Sequence, residues 1–220
     1  MHTRPHSPRS GSLLRLAFNQ LYTRVAWAYD SAAAAVSFGE WQQWGRAVIS
    51  FLPPQARLLE IGHGPGHLNL TLRRQGWSIT GIDLSPQMSV IAGRRLSRAG
   101  FDIAIARANA SLLPFHDDSF GAVISTFPTE YIFNEQVLAE IRRVLKTSGR
   151  LVIVPDAPLR TTGPTGLPAR VVKAIYRIGH TGDEAHPERV LFMRAGYTFT
   201  EYRVPARYAI VIVWVCEKME

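Results

Sequence analysis

The segment Leu58-Leu-Glu-Ile-Gly62-His-Gly64-Pro-Gly66 constrains the fold more than any other part of the chain. A short apolar run that stops at three closely spaced glycines reads as a buried strand turning sharply into a helix. Glycines at such a turn let the backbone approach a ligand closely. The helix start behind them offers N–H groups with no partner inside the helix. The spacing is G-x-G-x-G. A dinucleotide fingerprint wants G-x-G-x-x-G, and its third glycine position holds His67 here. No Gly-Lys-Ser/Thr follows, so this is not a Walker loop.

The segments around this turn alternate. Arg57 to Ile61 reads as a strand, followed by a helix to about Gln75 that Gly76 stops. Ser78 to Asp83 is a second strand. Ser85 then caps a helix whose first residue is Pro86, where the missing N–H costs nothing. Ile103 to Arg107 and Ala122 to Thr126 are the third and fourth strands. Val137, Leu138, Ile141, Val144 and Leu145 make one face of a helix ending near Gly149, and Arg150 to Val154 is the fifth strand. Strands alternating with helices imply a parallel sheet covered on both faces. Tyr197 to Val204 and Arg207 to Cys216 are separated only by Pro205-Ala206, which permits only an antiparallel hairpin. The expected class is therefore α/β: a Rossmann-like, seven-stranded, mostly parallel sheet with helices on both faces and an antiparallel C-terminal hairpin. Before the core, Leu14, Phe18, Leu21 and Val25 form a helical stripe. A second helix spans about Gly39 to Leu52, ended by Pro53-Pro54. Pro155 to Gly166 reads as a loop, with a short helix near Leu167 to Ile178.

At 220 residues with 46% hydrophobic content, one sizeable core is the expectation. The single cysteine, Cys216, excludes an intrachain disulfide and a thiolate zinc site, and fits a reducing cytoplasm. No signal peptide is visible, and the longest apolar run, Ala209 to Cys216, is far short of a membrane span. The net charge of +8 divides evenly: +3 over residues 1–55, +3 over 56–150 and +2 over 151–220. With no basic block, no nucleic-acid partner is expected, and the bland reading is a solvated, arginine-rich surface.

Asp83 closes the second strand, 21 residues after Gly62. A carboxylate at that strand tip can accept both hydroxyls of a ribose. Helix capping is the plain alternative for Asp83, but Ser85 is better placed for it. Four segments then resemble, in order and spacing, the class I methyltransferases that use S-adenosylmethionine (SAM), in particular the small single-domain bacterial type. LLEIGHGPG (58–66) is similar to the family's first motif, an acid two residues before G-x-G-x-G. GIDLSPQM (81–88) resembles the ribose-binding segment. ARANASLLPFHDDSFGAVIS (106–125) resembles G-D-A-x-x-L-P-F-x-x-x-x-F-D-x-V, and RRVLKTSGRLVIV (142–154) resembles R-V-L-K-P-G-G-x-L-x-I.

The resemblance implies SAM as cofactor and assigns roles. Gly62, His63, Gly64 and Gly66 line its methionine part, with Glu60 orienting the loop from beneath. Asp83 holds the ribose, with Leu84 and Met88 near the adenine. Asn109 stands where the family has aspartate facing the adenine amino group, next to Ala110 and Ser111, and its amide oxygen can still accept. Thr126 ends the fourth strand beside the cofactor. Departures from the pattern are Ala108 and Ser148 for glycine and Gly121 for aspartate. The N-terminal part, Tyr22-Thr-Arg-Val-Ala-Trp-Ala-Tyr29-Asp30 and Ser37-Phe-Gly-Glu-Trp41-Gln-Gln-Trp44, is similar to quinone-ring C-methyltransferases, where the tyrosine, here Tyr29, lies beside the methionine end of SAM. The rest of that subfamily's pattern is missing, because the fourth strand leads into Phe127-Pro-Thr-Glu-Tyr-Ile132. The implied layout is a tail (1–12) and one methyltransferase domain (13–220). That domain comprises a helical cap (13–55), a SAM-binding core (56–155), a substrate-side segment (156–196) and the closing hairpin (197–216).

Methyl transfer from a sulfonium needs alignment and exclusion of water more than a dedicated base. His63 and His67 at the loop could serve as one, but an ordinary loop residue and a first-turn helix residue are the simpler readings. His180 and His186 flank Asp183-Glu184 without a defensible ligand spacing, so no metal is expected. Trp27, Trp41, Phe127 and Tyr131 are candidate substrate contacts, Tyr131 and Glu130 because they follow the fourth strand at the carboxyl edge. The expected substrate is a small apolar or aromatic molecule. A macromolecular acceptor such as tRNA or protein, and a scaffold that keeps the fold without turnover, remain alternatives. An NAD-linked oxidoreductase is disfavoured by His67.

Overall fold

The computed structural model describes Ser37 and residues 39–160 and 187–219. The expected tail, the Leu14–Val25 stripe and the helix near Leu167 to Ile178 lie outside these residues. The helix expected over 39–52 begins as α1 (Trp41–Gly45) and tightens to a 3₁₀ turn over Arg46–Phe51. Leu52 is extended, as a residue before proline must be. The core then alternates: β1 (Leu58–Ile61), α2 (His67–Arg74), β2 (Ile79–Asp83), α3 (Pro86–Arg98), β3 (Ile105–Arg107) and β4 (Phe120–Thr126). A 3₁₀ turn (Glu130–Phe133), α4 (Glu135–Val144), β5 (Leu145–Val154), α5 (Pro187–Arg194), β6 (Thr200–Pro205) and β7 (Ile210–Glu217) follow.

The strands form one seven-stranded sheet in the order β3-β2-β1-β4-β5-β7-β6. β1 to β5 are parallel, and β7 runs antiparallel to both β5 and β6. Alternate residues of each strand feed two cores. Leu59, Ile61, Val123, Leu151 and Ile153 pack with α4 and Phe192 of α5 on one face. Leu58, Ala122, Ile124, Val152 and Val154 pack with Trp44, Val48, Leu68 and Leu72 on the other. The chain leaves β1 toward β2 and β3, then returns to β4 on the other side of β1. Ligands bind at that reversal in open α/β sheets.

Element boundaries differ from the sequence expectation at several points. The helix before β5 stops at Val144, not near Gly149, because Leu145 already pairs with Phe120 in the sheet. The hairpin connection is four residues, Ala206–Ala209, closed by the bond from Ala206 N to Ala209 O; Pro205 itself pairs with Ile210. Residues 155–160, the described part of the expected loop, form no strand or helix; they run beside β7, with Ile212 N donating to Asp156 O and Ile210 N to Pro158 O.

Candidate functional site

Three glycines with positive φ shape the turn between β1 and α2: Gly62 at 73°, Gly64 at 50° and Gly66 at 79°. Gly62 N and His63 N both donate to Ile82 O, at 2.8 and 3.2 Å. Gly64 N donates to Asp83 Oδ2 at 2.9 Å. The glycines serve different ends. A Cβ on Gly66 would lie 2.8 Å from Ala92 Cβ, so this glycine lets α3 press against the loop. A Cβ on Gly64 would meet nothing within 4 Å, so this glycine borders open space.

Asp83 is only 4% exposed. Its Oδ1 accepts from Ser85 N at 2.8 Å, so each oxygen already holds one backbone N–H. An ionised carboxylate has about four acceptor sites, which leaves capacity for a ribose. Ser85 performs the capping: its Oγ accepts from Met88 N at 3.3 Å. Beneath the loop lie Glu60, His63 and Asn69, all buried. Glu60 Oε2, His63 Nε2 and Asn69 Nδ2 have no hydrogen-bond partner among the described residues. Burial pushes the Glu60 carboxyl up to about 8; the neighbouring Asn69 amide opposes this without closing a bond, and the Asp83 charge adds to it. Burial also lowers the His63 pKa against the pull of Asp83. His63 Nδ1 lies 2.7 Å from Gly64 O, so that nitrogen carries the proton and donates. The N–H groups of Gly62 and His63 thus go to Ile82 O, that of Gly64 to Asp83 and that of Gly66 to His63 O; no hydrogen bond from Glu60 to the loop occurs among the described residues.

Across the reversal, Ser125 ends the apolar run of β4 with a buried hydroxyl. Its Oγ donates to Ile61 O at 3.1 Å and lies 2.7 Å from Tyr131 Oη. Burial holds the Tyr131 phenol well above its usual pKa, so it keeps its proton, which lies within reach of both Ser125 Oγ and Ile61 O, the latter at 3.3 Å. Tyr131 Oη would lie 3.0 Å from a Cβ on Gly62, which sets the phenol directly against the loop. Sequence reasoning passed over Ser125; its one signal was a hydroxyl inside Ala-Val-Ile-Ser-Thr. Phe127 has φ 50°, a rare backbone for a bulky residue. Its ring stacks on Trp41 at 3.9 Å and 28°. Thr126 Cγ2 would lie 3.9 Å from a Cβ on Gly45, so α1 closes over the end of β4.

On the β2–β3 side, Leu84 is 64% exposed while Met88 is fully buried. Asn109 is exposed, and its Oδ1 accepts from Ser111 N at 3.0 Å, which uses one of its two acceptor positions locally. Ala110 and Ser111 are half-buried beside it. Gly121 has a steric reason: a Cβ there would sit 2.8 Å from Ala56 Cβ. Ser148 adopts φ 60°, the conformation that explains glycine in the family's turn. Among the described residues no cluster of metal-binding side chains occurs. Tyr29, Trp27, His180 and His186 lie outside the described residues.

This geometry fits SAM. The ligand's methionine end needs a bare backbone, which Gly64 offers, and its ribose an acceptor at the β2 tip, which Asp83 offers. The unpartnered atoms of Glu60 and His63 add polar capacity under the loop.

A methyltransferase-domain family model matches residues 59–153. The chain is 38% identical over 162 residues to a demethylmenaquinone methyltransferase of Tropheryma whipplei, covering 72% of this chain and 63% of that protein. It is 33% identical over 156 residues to the demethylmenaquinone methyltransferase of Thermus thermophilus, covering 69% of this chain and 70% of that protein. The chain thus spans less than two thirds of the Tropheryma relative's length. Among solved structures, the YcgJ protein of Bacillus subtilis superposes with a TM-score of 0.58 at 17% identity, over 81% of this chain and 99% of that one. A geranyl diphosphate methyltransferase in complex with GPP and sinefungin superposes with a TM-score of 0.59 at 15% identity, over 80% and 77%. These two show the fold.

Proposed function

Since the chain belongs to the class I SAM-dependent methyltransferases, we propose that it methylates a ring carbon of a small quinone-type molecule in its reduced, hydroxylated form. The observation that carries this reading is the meeting, at one sheet edge, of an open glycine loop anchored by Asp83 and the stacked pair Trp41–Phe127. Bound SAM supplies a methyl group already activated by its sulfonium. Gly64 admits the methionine part, Gly62 and Gly66 hold the turn around it, and Asp83 takes the ribose hydroxyls. Leu84, Asn109, Ala110 and Ser111 border the adenine; Met88, fully buried, supports that end from within α3.

Trp41 and Phe127 form a flat apolar wall for an aromatic acceptor, at the end of β4 where Thr126 and Tyr131 stand. Stacking on that wall fixes the plane of the acceptor ring and excludes water from it, which is where most of the rate enhancement of such a displacement lies. Tyr131, protonated and hydrogen-bonded to Ser125 and Ile61 O, braces the glycine loop beside this wall. Ring methylation forms a C–C bond, returns the S–C electron pair to sulfur and releases the ring proton to solvent. The test is incubation of purified protein with methyl-labelled SAM and a reduced demethylated naphthoquinone. Labelled ring-methylated product is expected, and Trp41→Leu and Phe127→Leu should raise KM for the acceptor without changing SAM affinity. SAM binding with no transfer to any quinol would reject the substrate class.

A further inference from the structure

The even division of charge along the sequence conceals a concentration that the fold brings to one place. Residues 62–101 contain five arginines and a single carboxylate, Asp83, which is buried. Arg74 at the end of α2 and Arg94, Arg95 and Arg98 of α3 line a groove between the two helices, of about 430 Å³, with Leu70 and Ile91 among its apolar lining. Arg95 donates to Pro65 O, so the groove's wall is tied to the glycine loop. Arg74, Arg94 and Arg98 are exposed and form no ion pair with a described residue. Basic residues at helix C-termini complement the helix dipole, which accounts for Arg74 and Arg98. It does not account for Arg94, one turn further in, whose like charge at i, i+4 from Arg98 is repulsive. Neither helix carries a carboxylate to offset it.

We propose that this groove docks the protein on the phosphate headgroups of an anionic lipid bilayer. Charge complementarity selects phosphate, and the apolar composition around it selects a lipid surface over RNA. Val90, 52% exposed, continues the Arg94–Arg98 stripe at i, i+4 and adds apolar surface beside the arginines. The groove lining contains no aromatic ring on which a nucleobase could stack. α1 packs on the first turn of α2 on the same face of the sheet, with Gln42 beside His67 and Trp44 and Leu68 in one apolar cluster, so the groove lies in the same helical layer as Trp41. The inference rests on the quinone reading only in its purpose, since a quinone acceptor partitions into bilayers.

The experiment is sedimentation of the full chain with vesicles of phosphatidylcholine alone or with phosphatidylglycerol, in low and high salt. Binding to the anionic vesicles only, released by salt, is expected. The triple substitution Arg74→Gln, Arg94→Gln, Arg98→Gln should weaken partitioning about a hundredfold, with SAM affinity and melting temperature unchanged. Removing Arg203 and Arg207, exposed arginines outside the groove, should leave it nearly intact. Equal loss in both variants, or equal binding to neutral vesicles, overturns the proposal. So does displacement by micromolar inorganic pyrophosphate, which marks a soluble-anion site, or retention on RNA without vesicle binding. Wild-type protein that binds vesicles but not SAM would refute the methyltransferase reading and leave this one standing.

Discussion

Gly64 and Gly66 share a positive φ, and the structure assigns them different costs on substitution. Alanine at either position incurs left-handed backbone strain, about 1–2 kcal/mol. At Gly64 nothing else is met, because no atom lies within 4 Å of the added Cβ. At Gly66 the Cβ arrives 2.8 Å from Ala92 Cβ and 3.2 Å from Ala92 Cα, with the α3 backbone behind it. Overpacking of that kind adds about 1–3 kcal/mol. In a chain of this size, Gly64→Ala should lower the melting temperature of the unliganded protein by about 3–6 °C and Gly66→Ala by about 6–15 °C. A double-mutant cycle isolates the contact. Ala92→Gly alone costs about 1 kcal/mol in a helix interior, but in the Gly66→Ala background it should be neutral or stabilising, a coupling of at least about 1 kcal/mol. SAM affinity should reverse the order: Gly64→Ala fills the open space beside the ligand and should weaken binding tenfold or more, about 1.4 kcal/mol. Thermal melts and calorimetric titrations read both. Equal melting losses at the two glycines, or no coupling to Ala92, would refute the assignment of Gly66 to helix packing.

Three further outcomes follow from the same geometry. Ser148→Gly should raise the melting temperature by about 2–4 °C, because φ 60° strains serine by about 1 kcal/mol; an unchanged or lower value contradicts that. Glu60 has a folded-state pKa of about 8, above the ordinary 4.5, so its contribution is fully present below about pH 4.5 and is lost as pH rises toward 8. Glu60→Gln should therefore gain stability relative to the wild type between pH 5 and 9, and a difference constant across that range in denaturant titrations would disprove it. Asp83→Ala removes the acceptor of both Gly64 N and Ser85 N, and should cost about 2–4 kcal/mol of stability and abolish SAM binding at micromolar concentrations; retention of both in melts and titrations would reject its role.

The sheet was legible because its strands and helices are punctuated locally. Gly76, Ser85-Pro86 and the three loop glycines each mark a boundary that the structure keeps within a residue or two. The boundary at Val144–Leu145 was not legible, because pairing of Leu145 with Phe120 overrides a helical pattern that continues through it. At the site, the sequence pointed to Gly64 and Asp83 as neighbours in function but not to the hydrogen bond that joins them. Nor could it show the left-handed turn of Phe127 onto Trp41 or the Tyr131–Ser125–Ile61 chain, since both depend on contacts between distant elements. The arginine groove escaped for a related reason: its residues sit on two helices whose pairing no linear charge count contains.

Calorimetric titration of the purified chain with SAM, S-adenosylhomocysteine and NAD tests the central claim most directly. The account predicts micromolar binding of the first two, none of NAD, and loss of both on Asp83→Ala. Binding of NAD, or of neither SAM nor S-adenosylhomocysteine, would contradict it.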